Sequence, residues 1–531
     1  MHKRTAVFIT LAAGFISYFG IQWALDSVEL RPAKQAVLAM KTNTQLPAVP
    51  DLNQEHEFAE PPNILIILAD DLGWRDVGYN QGEITTPVID RLARGGVTLN
   101  RFYVQPTCSP TRAALLTGRS PLRMGITGPL TKNNPTGLPL NEATTADYLR
   151  KVGYQTALIG KWHLGARDLA YHPNARGFDH FYGHVTGGIG YYDKTHGGGY
   201  DWQRNGETVR EDGYTTHLIA KEAVRLIAER DPSRPFFMYT AFGAPHLPNE
   251  APATTINQYS SIKQHNRRVH AAMVSELDSA IGEIYTAIVK EGIEQQTLIW
   301  FMSDNGGLIA ESPARFFPDF LLAKLIESRL NVKTNDRMIE FTRQNLTEGG
   351  SDNRPFKKGK GSLYEGGVRV PSFVYWPGQL GEYAYNYMTT VEDVTPTLMT
   401  IAGVKTVNNF DGRDLTSALI ANAPPRPADY LTKVTVLGES TAIYRYPYKL
   451  IQSGSATHLF NLQDDPLETT DIANESTELV SALTAAIESF PMGDSIAIPL
   501  QDAIDDVDRF GGQEDRAPWT EQAYATQSKF K

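Results

Sequence analysis

The chain has 531 residues, 41% of them hydrophobic, which is too long for one small core and predicts two domains. It carries 50 Lys and Arg against 60 Asp and Glu, a formal net charge of −10. No basic run indicates nucleic acid as a partner, and an anionic substrate would need a local cationic pocket to offset the long-range repulsion.

The N-terminus is typical of an export signal or a membrane anchor. Lys3 and Arg4 form a short basic region, and the run from Ala6 to Leu25 is almost free of polar residues. Its length lies between that of a signal peptide and that of a spanning helix. We therefore interpret residues 1–25 as a signal peptide or N-terminal membrane anchor and residues 26–60 as a linker. The protein is expected to be exported, periplasmic or extracellular, with membrane attachment as the alternative to cleavage.

Four apolar runs predict buried strands that each end in polar residues. These runs are 63–69, 156–159, 236–240 and 297–302. Helical patterns lie between them, at 87–93, 144–151, 216–230 and 271–290. This alternation predicts an α/β fold with a large, mostly parallel mixed sheet flanked by helices. Such sheets bind ligands beyond the carboxyl ends of their strands, so the polar residues there are candidates for a single site.

Carboxylate and amide side chains follow the first and the last of these strands. Asp70 and Asp71 come directly after the first, and Asp304 and Asn305 after the last. Oxygen ligands of this kind suit a hard cation such as calcium better than they suit magnesium. Few His or Cys residues converge with them, which argues against a two-zinc phosphatase centre. Asp70 and Asp71 alone would fit a polar turn, but the two pairs together favour a metal site.

Cys108 is the single cysteine, so it forms no intramolecular disulfide. It lies just before a predicted helix in which Pro110 suits the first position and Gly118 is a plausible end. The free N–H groups and positive dipole at that helix start would face an anion. Arg112, about one turn in, is placed to bind the same anion. On these residues alone, a buried and inert thiol is equally acceptable.

The run Cys-Ser-Pro-Thr-Arg at 108–112, followed by Ala-Ala-Leu-Leu-Thr-Gly-Arg, resembles the signature of the formylglycine-dependent sulfatases. The resemblance extends from Pro62 to beyond Asp465. It implies an alkaline-phosphatase-like fold and a maturation enzyme that oxidises Cys108 to formylglycine, an aldehyde that hydrates to a diol. It also implies a calcium ion bound, together with the modified Cys108, by Asp70, Asp71, Asp304 and Asn305.

Two further segments match motifs of the same family. Gly-Lys-Trp-His-Leu-Gly at 160–165 implies active-site roles for Lys161 and His163. Ala-Pro-His-Leu-Pro at 244–248 implies a second active-site histidine, His246. Taken singly, a histidine flanked by proline is more often a turn residue, so these roles depend on the resemblance.

A third segment, 353–369, resembles the late lysine motif of the family. Lys360 aligns with the active-site lysine, and Lys357 and Lys358 lie close enough to remain alternatives. A lysine in a glycine-rich loop is usually exposed to solvent, so the sequence alone leaves this choice open.

The resemblance implies hydrolysis of a sulfate ester. One hydroxyl of the hydrated formylglycine at Cys108 would attack sulfur, and His246 with Lys360 would protonate the departing alcohol. His163 or a calcium-bound carboxylate would help the second hydroxyl to expel sulfate. A phosphate or phosphonate monoester hydrolase of the same superfamily is the nearest alternative, and a catalytically silent, exported glycan-binding protein is another.

The segment 183–202 is rich in glycine and aromatic residues, which predicts contact with a sugar. Tyr191, Tyr192 and Trp202 are candidates for stacking on a sugar face, and His184 is a candidate for a place near the sulfate. Core packing is the alternative for each ring. A sulfated carbohydrate or polysaccharide is the favoured substrate, because it would explain export and this aromatic segment together.

The remaining segments complete the expected organisation. Residues 61–425 would form the catalytic domain, with a cationic helical insertion at 308–352 that is either a lid or a surface insertion. Residues 426–531 would form a smaller C-terminal α+β domain with an antiparallel sheet and a tail. Within it, 459–468 resembles a late strand–turn motif of the family.

Overall fold

A computed structural model describes residue 58 and residues 60–132, 134–196, 199–310, 347–404, 409–434 and 439–496. The predicted signal or anchor at 1–25, almost all of the linker, most of the insertion at 308–352 and the tail from residue 497 lie outside these ranges. Within them, no helix combines the length and the apolar character needed to cross a membrane. The domain boundaries expected from the sequence stay predictions.

The described strands and helices follow the predicted alternation. The strands are β1 (Asn63–Ala69), β2 (Val97–Leu99), β3 (Phe102–Tyr103), β4 (Gln155–Lys161), β5 (His180–His184), β6 (Thr195–His196), β7 (Gly199–Tyr200), β8 (Gln203–Arg204), β9 (Glu207–Thr208), β10 (Phe236–Ala241), β11 (Thr297–Ser303), β12 (Ser372–Tyr375), β13 (Tyr383–Tyr385), β14 (Thr389–Thr390), β15 (Tyr430–Val434), β16 (Ser440–Arg445), β17 (Tyr448–Ser453) and β18 (Ala456–Asn461). The α-helices are α1 (Pro87–Arg94), α2 (Cys108–Thr117), α3 (Thr145–Lys151), α4 (Thr215–Glu229), α5 (Ala253–Gln258), α6 (His265–Lys290), α7 (Glu365–Val368), α8 (Val394–Ile401), α9 (Thr416–Ala421) and α10 (Thr477–Ser489). Short 3-10 turns occur at Trp74–Asp76, Gly78–Asn80, Leu169–Tyr171, Pro173–Ala175, Glu294–Gln296, Val391–Asp393 and Ala473–Glu475.

The main sheet has ten strands in the order β13-β2-β12-β11-β1-β10-β4-β5-β8-β9. Its centre, from β11 through β1, β10 and β4 to β5, is parallel. Antiparallel pairs flank this centre, with β12 beside β11 and β8 beside β5. The mostly parallel mixed sheet predicted from the sequence is therefore confirmed, and the carboxyl ends of four predicted strands share one edge.

Burial on both faces explains why the central strands are continuous apolar runs. All residues of β1 and of β11 are buried. Alternate side chains of β1 contribute to two different cores: Ile64, Ile66 and Leu68 to one, and Leu65 and Ile67 to the other. A parallel strand with helices on both sides needs this pattern.

The C-terminal part contains the predicted small antiparallel sheet, in the order β15-β16-β17-β18. Helix α10 packs on one face of it through Leu483 and Ile487. The other face packs against β3 and the segment before α7, through residues such as Tyr103 and Leu363. This sheet therefore rests directly on chain segments that lead into the predicted active site.

One local detail differs from the sequence expectation. Helix α2 begins at Cys108 itself, with Thr107 as N-cap, so Pro110 is its third residue and not its first. Proline is tolerated anywhere in the first turn, because the N–H groups there have no partner within the helix. The helix ends as predicted at Gly118, which has a φ of 63°.

Candidate active site

The register of the central strands brings the two acidic pairs together. Ala69 of β1 pairs with Ser303 of β11, so the residues that follow leave the sheet side by side. The N–H of Asp304 donates to the carbonyl of Ala69 over 3.0 Å, and the N–H of Asp71 donates to Asp304 Oδ1 over 3.3 Å. Backbone pairing therefore brings together carboxylates that are more than 230 residues apart in the chain.

The oxygen donors in this cluster fit a hard cation. Asp70, Asp71, Asp304 and Asn305 are all nearly or fully buried. Asp70 Oδ1 and Asn305 Oδ1 are buried without a hydrogen-bond partner, which is costly unless a ligand binds them. Burial and the charge of Asp70 raise the pKa of Asp304 to about 6, although Arg112 and Lys161 lower it. A divalent cation would satisfy both oxygens and relieve the excess of negative charge.

The thiol of Cys108 lies at this acidic cluster. Its sulfur and one carboxylate oxygen each from Asp70 and Asp304 lie within 4.8 Å of one another. The side chain is buried at the first position of α2. Burial raises the pKa of the Cys108 thiol, Asp304 and Asp70 add to the increase, and Lys161 and Lys360 oppose it. The unmodified residue is therefore held as a neutral thiol and is a poor nucleophile.

Two buried cations border the thiol and the carboxylates. Arg112 donates through Nε and Nη2 to Asp304 Oδ2, over 3.1 and 2.8 Å, and through Nη1 to the carbonyl of Lys161. Lys161 Nζ donates to Asp70 Oδ2 over 2.5 Å. Both side chains are fully buried, so their charges act where little water screens them. The fork expected of Arg112 is present, and here it binds the carboxylate of Asp304.

The ammonium of Lys360, one of the three lysines in the late motif, hydrogen-bonds a carboxylate of the cluster. Its Nζ lies 2.8 Å from Asp71, and its backbone N–H donates to the carbonyl of Gly307. Lys357 instead lies over the ring of Tyr364, 4.2 Å from the centroid. Burial would lower the pKa of Lys360, but Asp71 raises it above its ordinary value, so Lys360 is a cation.

His246 faces the same carboxylate from the loop after β10. Its Nδ1 lies 2.7 Å from the carbonyl of Leu247, and because a carbonyl only accepts, Nδ1 carries a hydrogen. Nε2 lies 3.8 Å from Asp71 Oδ2. Burial and the charge of Lys360 lower the pKa of His246 to about 3, and Asp71 opposes them. The ring is neutral at ordinary pH, with the lone pair of Nε2 toward the site.

His163 follows β4 with a left-handed φ of 59°. Its Nε2 lies 2.9 Å from the carbonyl of Leu130 and therefore donates a hydrogen to it. The hydroxyl of Ser109, the residue after Cys108, donates to the carbonyl of His163 over 2.9 Å. The start of α2 and the end of β4 are thus joined directly, and the role expected of His163 stays a prediction.

The residues predicted to contact a sugar separate into buried and exposed ones. The ring of Trp202 is 1% exposed, and its Nε1 donates to Glu211. Tyr191 is 3% exposed, and its hydroxyl donates to the carbonyl of His246. Both rings belong to a hydrophobic core, the alternative that the sequence left open, and both also line a small pocket beside Asp70. Tyr192, at 48% exposure, stays a candidate.

His184 lies next to Lys161 in the sheet, since the two residues pair between β5 and β4. Its Nδ1 donates to the carbonyl of Thr186 over 3.1 Å. A small pocket beside the acidic cluster is lined by Asp70, His184, His246 and Tyr191, among other residues. The structure thus brings His184 to the predicted site, and its expected place near the sulfate stays a prediction.

Asn353 is a site residue whose role the sequence did not reveal. Its side-chain amide exchanges two hydrogen bonds of 2.8 Å with the backbone of Gly307, and it also donates to the carbonyl of Lys358. It therefore ties the loop that carries Lys360 to the loop that carries Asp304. The sequence shows Asn353 at the start of the lysine motif, but its partner, Gly307, lies 46 residues away and could not be inferred from that motif.

Comparison with known proteins agrees with this geometry. The sequence model of the sulfatase family matches residues 62–404, so the chain belongs to the sulfatase family, whose members hydrolyse sulfuric esters. This range contains all the residues of the acidic cluster and the proposed active-site cations and histidines.

Two curated relatives illustrate the family. Mouse N-acetylgalactosamine-6-sulfatase is 32% identical over 415 residues, which cover 73% of this chain and 72% of the relative. Mouse arylsulfatase J is 36% identical over 325 residues, which cover 60% of this chain. The chain spans about half of that second relative, 48% of its length.

Solved structures show the same fold. The crystal structure of Ps i-CgsB has a TM-score of 0.73 and 30% identity, with coverage of 85% of this chain and 98% of that one. The same protein in complex with k-i-k-neocarrahexaose has a TM-score of 0.72 and 29% identity. The phosphonate monoester hydrolase of Agrobacterium radiobacter, at 19% identity and a TM-score of 0.55, shares the fold alone.

Proposed function

We propose that this protein hydrolyses sulfate esters of a sulfated glycan, with formylglycine formed from Cys108 and with a bound calcium ion. The observation that carries the proposal is the position of the Cys108 sulfur within 4.8 Å of carboxylate oxygens of both Asp70 and Asp304. Arg112 and Lys161 add two buried cationic side chains at the same place, and Lys360 adds a third that is 12% exposed. A silent binding protein would have no need of a buried nucleophile among such charges.

Two groups would complete this site. Formylglycine at position 108 would supply, as its hydrate, one hydroxyl as the nucleophile and a second that allows the aldehyde to be regenerated when sulfate leaves. Calcium would be held by Asp70, Asp71, Asp304 and Asn305 and would supply positive charge for sulfate oxygens. The unpartnered oxygens of Asp70 and Asn305 support such a cation.

The cations of the chain would stabilise the charge that develops on the sulfate oxygens. Lys161 and Arg112 are fixed by ion pairs with Asp70 and Asp304, so they need no reorganisation during the reaction. The start of α2 adds backbone N–H groups near position 108. These groups stabilise the transition state more than the ester, because the transition state carries more charge on oxygen.

Proton transfer would use the neighbouring His246 and Lys360. The hydrogen on His246 Nδ1 is committed to the carbonyl of Leu247, so only Nε2 is available to the leaving oxygen. The ammonium of Lys360 donates a hydrogen bond to Asp71, and Nε2 of His246 faces the same carboxylate. We therefore propose that the pair, and not His246 alone, protonates the departing alcohol. His163, through Nδ1, is proposed to assist the release of sulfate.

The substrate is proposed to be a sulfated carbohydrate. The names of the relatives support it, since they include N-acetylgalactosamine-6-sulfatase and a protein solved with a neocarrahexaose. Tyr192 is proposed as an exposed ring for a sugar face, and His184 as a residue near the sulfate. The basic and apolar start of the chain supports export to the periplasm or the cell exterior, and Cys108 implies a formylglycine-generating enzyme as a partner.

Replacement of Cys108 tests the proposal. We expect Cys108→Ala to lose sulfatase activity by a factor of about 1,000 or more, because no nucleophile remains. Aryl sulfate, aryl phosphate and defined sulfated oligosaccharides, including N-acetylgalactosamine 6-sulfate and neocarra-oligosaccharides, form the assay panel. Mass spectrometry of the peptide that contains residue 108 reports its oxidation state.

Two outcomes would contradict the proposal. One is wild-type sulfatase activity in Cys108→Ala, and the other is an active preparation whose residue 108 is entirely thiol. Faster turnover of aryl phosphate than of aryl sulfate would favour the phosphoesterase alternative. Glu229→Gln, a change of an exposed acid on α4, serves as the control for purification and handling.

A further inference from the structure

The late strand–turn motif ends in Glu468, a residue that the proposed mechanism does not use. Its side chain is fully buried and its backbone is left-handed, with a φ of 56°. Residues other than glycine adopt this conformation at a cost, so surrounding contacts must hold it. Those contacts lead to the loop that carries Lys360.

Glu468 and Lys449 form a buried bridge from the C-terminal sheet to α7. Lys449 Nζ, on β17, donates to Glu468 Oε1 over 2.6 Å and to Glu365 Oε1 over 3.1 Å. Glu468 Oε2 accepts the backbone N–H of Glu365 over 2.7 Å. The side chains of Lys449, Glu365 and Glu468 are all 0% exposed. Glu365, the first residue of α7, is thus held through both its backbone and its side chain.

The first turn of α7 is packed tightly against the loop that carries Lys360. The N–H of Gly366 donates to the carbonyl of Lys357 over 2.9 Å. A Cβ added at Gly366 would lie 2.3 Å from the carbonyl of Lys358, and one at Gly367 would lie 2.1 Å from that of Ser362. The two backbone segments are thus too close for even one additional methyl group between them. A displacement of Glu365 would therefore also displace the loop that carries Lys360.

The same bridge reaches the segment before Cys108. The hydroxyl of Tyr103 donates to Glu365 Oε2 over 2.8 Å. Gln105 donates to the hydroxyl of Tyr430 and to the carbonyl of Leu431 on β15, each over 3.1 Å. The N–H of Gly361, beside Lys360, donates to the carbonyl of Pro106. The C-terminal sheet therefore holds both the chain that leads to Cys108 and the loop that carries Lys360.

We propose that Lys449 and Glu468 are positioning residues for Lys360. The C-terminal sheet then contributes to the active site by holding the loop that carries Lys360. A buried ion pair adds little stability compared with apolar residues of similar volume, but its hydrogen bonds fix the orientation of the groups that they join. Here the fixed group is Glu365, and its place sets the distance between Lys360 and Asp71. The inference rests on the proposed function in so far as Lys360 is a catalytic residue.

The test compares Lys449→Met with Leu483→Ala. Leu483 is fully buried on α10 and belongs to the hydrophobic cluster on the opposite face of the same small sheet. Both variants should lower the melting temperature. We expect only Lys449→Met to reduce kcat, by about tenfold to 100-fold with KM changed less, because the displaced group acts in the transition state. Glu468→Gln keeps an acceptor for the N–H of Glu365, so its kcat should fall less.

Hydrogen exchange supplies a readout that needs no activity. Peptides within 357–367 should exchange faster in Lys449→Met than in the wild type, and should be unchanged in Leu483→Ala. Equal kcat in Lys449→Met and Leu483→Ala, or unchanged exchange at 357–367, would overturn the proposal. If the wild type proves to have no sulfatase activity, the proposed function fails and the exchange result still decides the bridge. If Lys449→Met does not fold, Glu468→Gln is compared with Leu483→Ala in both measurements.

Discussion

Each histidine of the candidate site is restricted by one backbone carbonyl. His246 donates to Leu247, His163 to Leu130 and His184 to Thr186. A carbonyl accepts only, so these contacts determine which ring nitrogen of each histidine carries a hydrogen. The chemical role of each histidine thus depends on which of its ring nitrogens the backbone carbonyl binds, and not on the residue type alone.

A buried histidine outside the site predicts acid sensitivity. His172 donates from Nε2 to Gln203 Oε1, and its Nδ1 accepts the N–H of Asn174, so both nitrogens are used in the neutral form. Burial lowers its pKa to about 4, and the hydrogen bond with Gln203 opposes the shift. On acidification the histidine of the unfolded chain therefore binds a proton at a higher pH than that of the folded chain. The free energy of unfolding decreases as the pH is lowered from about 6.5 to about 4. From pH 7.5 to pH 5 this group should cost about 2 kcal/mol.

Denaturant unfolding at those two pH values checks this expectation. His172→Gln should be less stable at pH 7.5 but should lose about 2 kcal/mol less than the wild type on acidification. His458→Gln, a change at a partly exposed histidine on β18, controls for the loss of a histidine elsewhere in the chain. An equal acid-induced loss in the wild type and in His172→Gln would contradict the assignment.

At the scale of elements, the site exists because parallel strands end at one edge. β1, β11 and β4 deliver Asp70, Asp304 and Lys161 respectively, and the loop after β10 delivers His246. The strand bodies are apolar and the residues just beyond them are polar, so one local pattern serves both the core and the site. Small displacements between neighbouring strands should therefore affect the chemistry.

Gly160, directly before Lys161, tests this coupling. It has a φ of 107°, and an added Cβ would lie 1.9 Å from the carbonyl of Ala241 on β10. Gly160→Ala should push β4 away from β10, lower the melting temperature and reduce activity by displacing Lys161. Gly153→Ala is the matched control, since its φ is 96° but nothing lies within 4 Å of the added Cβ. That variant should cost only the backbone strain, about 1–2 kcal/mol, and keep its activity.

Thermal unfolding and a standard sulfate ester assay of both variants decide the matter. Equal melting temperatures and equal activities for Gly160→Ala and Gly153→Ala would show that close strand contact at Gly160 is unimportant.

At the scale of the whole molecule, the acidic cluster is expected to link metal binding to stability. Asp70, Asp71, Asp304 and Asn305 come from two segments of the main sheet, so a bound cation would join parts that separate on unfolding. A ligand that binds only the folded state stabilises it by about 2.7 kcal/mol at 100 times its dissociation constant. Added calcium should therefore raise the melting temperature, and a chelator should reverse the effect.

Variants at two buried carboxylates separate this linkage from a general salt effect. Asp70→Asn should lose most of the calcium-dependent increase, because it removes charge from the proposed donor set. Asp201→Asn should keep it, since Asp201 accepts from Thr186 and Val185 and lies outside the cluster. A calcium response that is the same in both variants would count against the proposed ligands.

The sequence predicted the strands and the site's residue types better than it predicted contacts. β1 and β11 were recognisable as continuous apolar runs because both of their faces are buried. The start of α2 was misplaced by two residues, since Pro110 also fits the third helical position. Tyr191 and Trp202 were candidates for sugar contacts with core packing as the alternative, because an aromatic ring in a core and one on a surface look alike in a sequence.

By itself, the sequence determined the alternation of strands and helices, the polar residues beyond the strand ends and the sulfatase signature around Cys108. These features are local, so residue order alone carries them. Tertiary structure alone decided that Lys360 meets Asp71, 289 residues away, and that Lys449 and Glu468 meet Glu365. Such contacts depend on strand register and on the packing of the small sheet against the large one, which no short pattern of residues encodes.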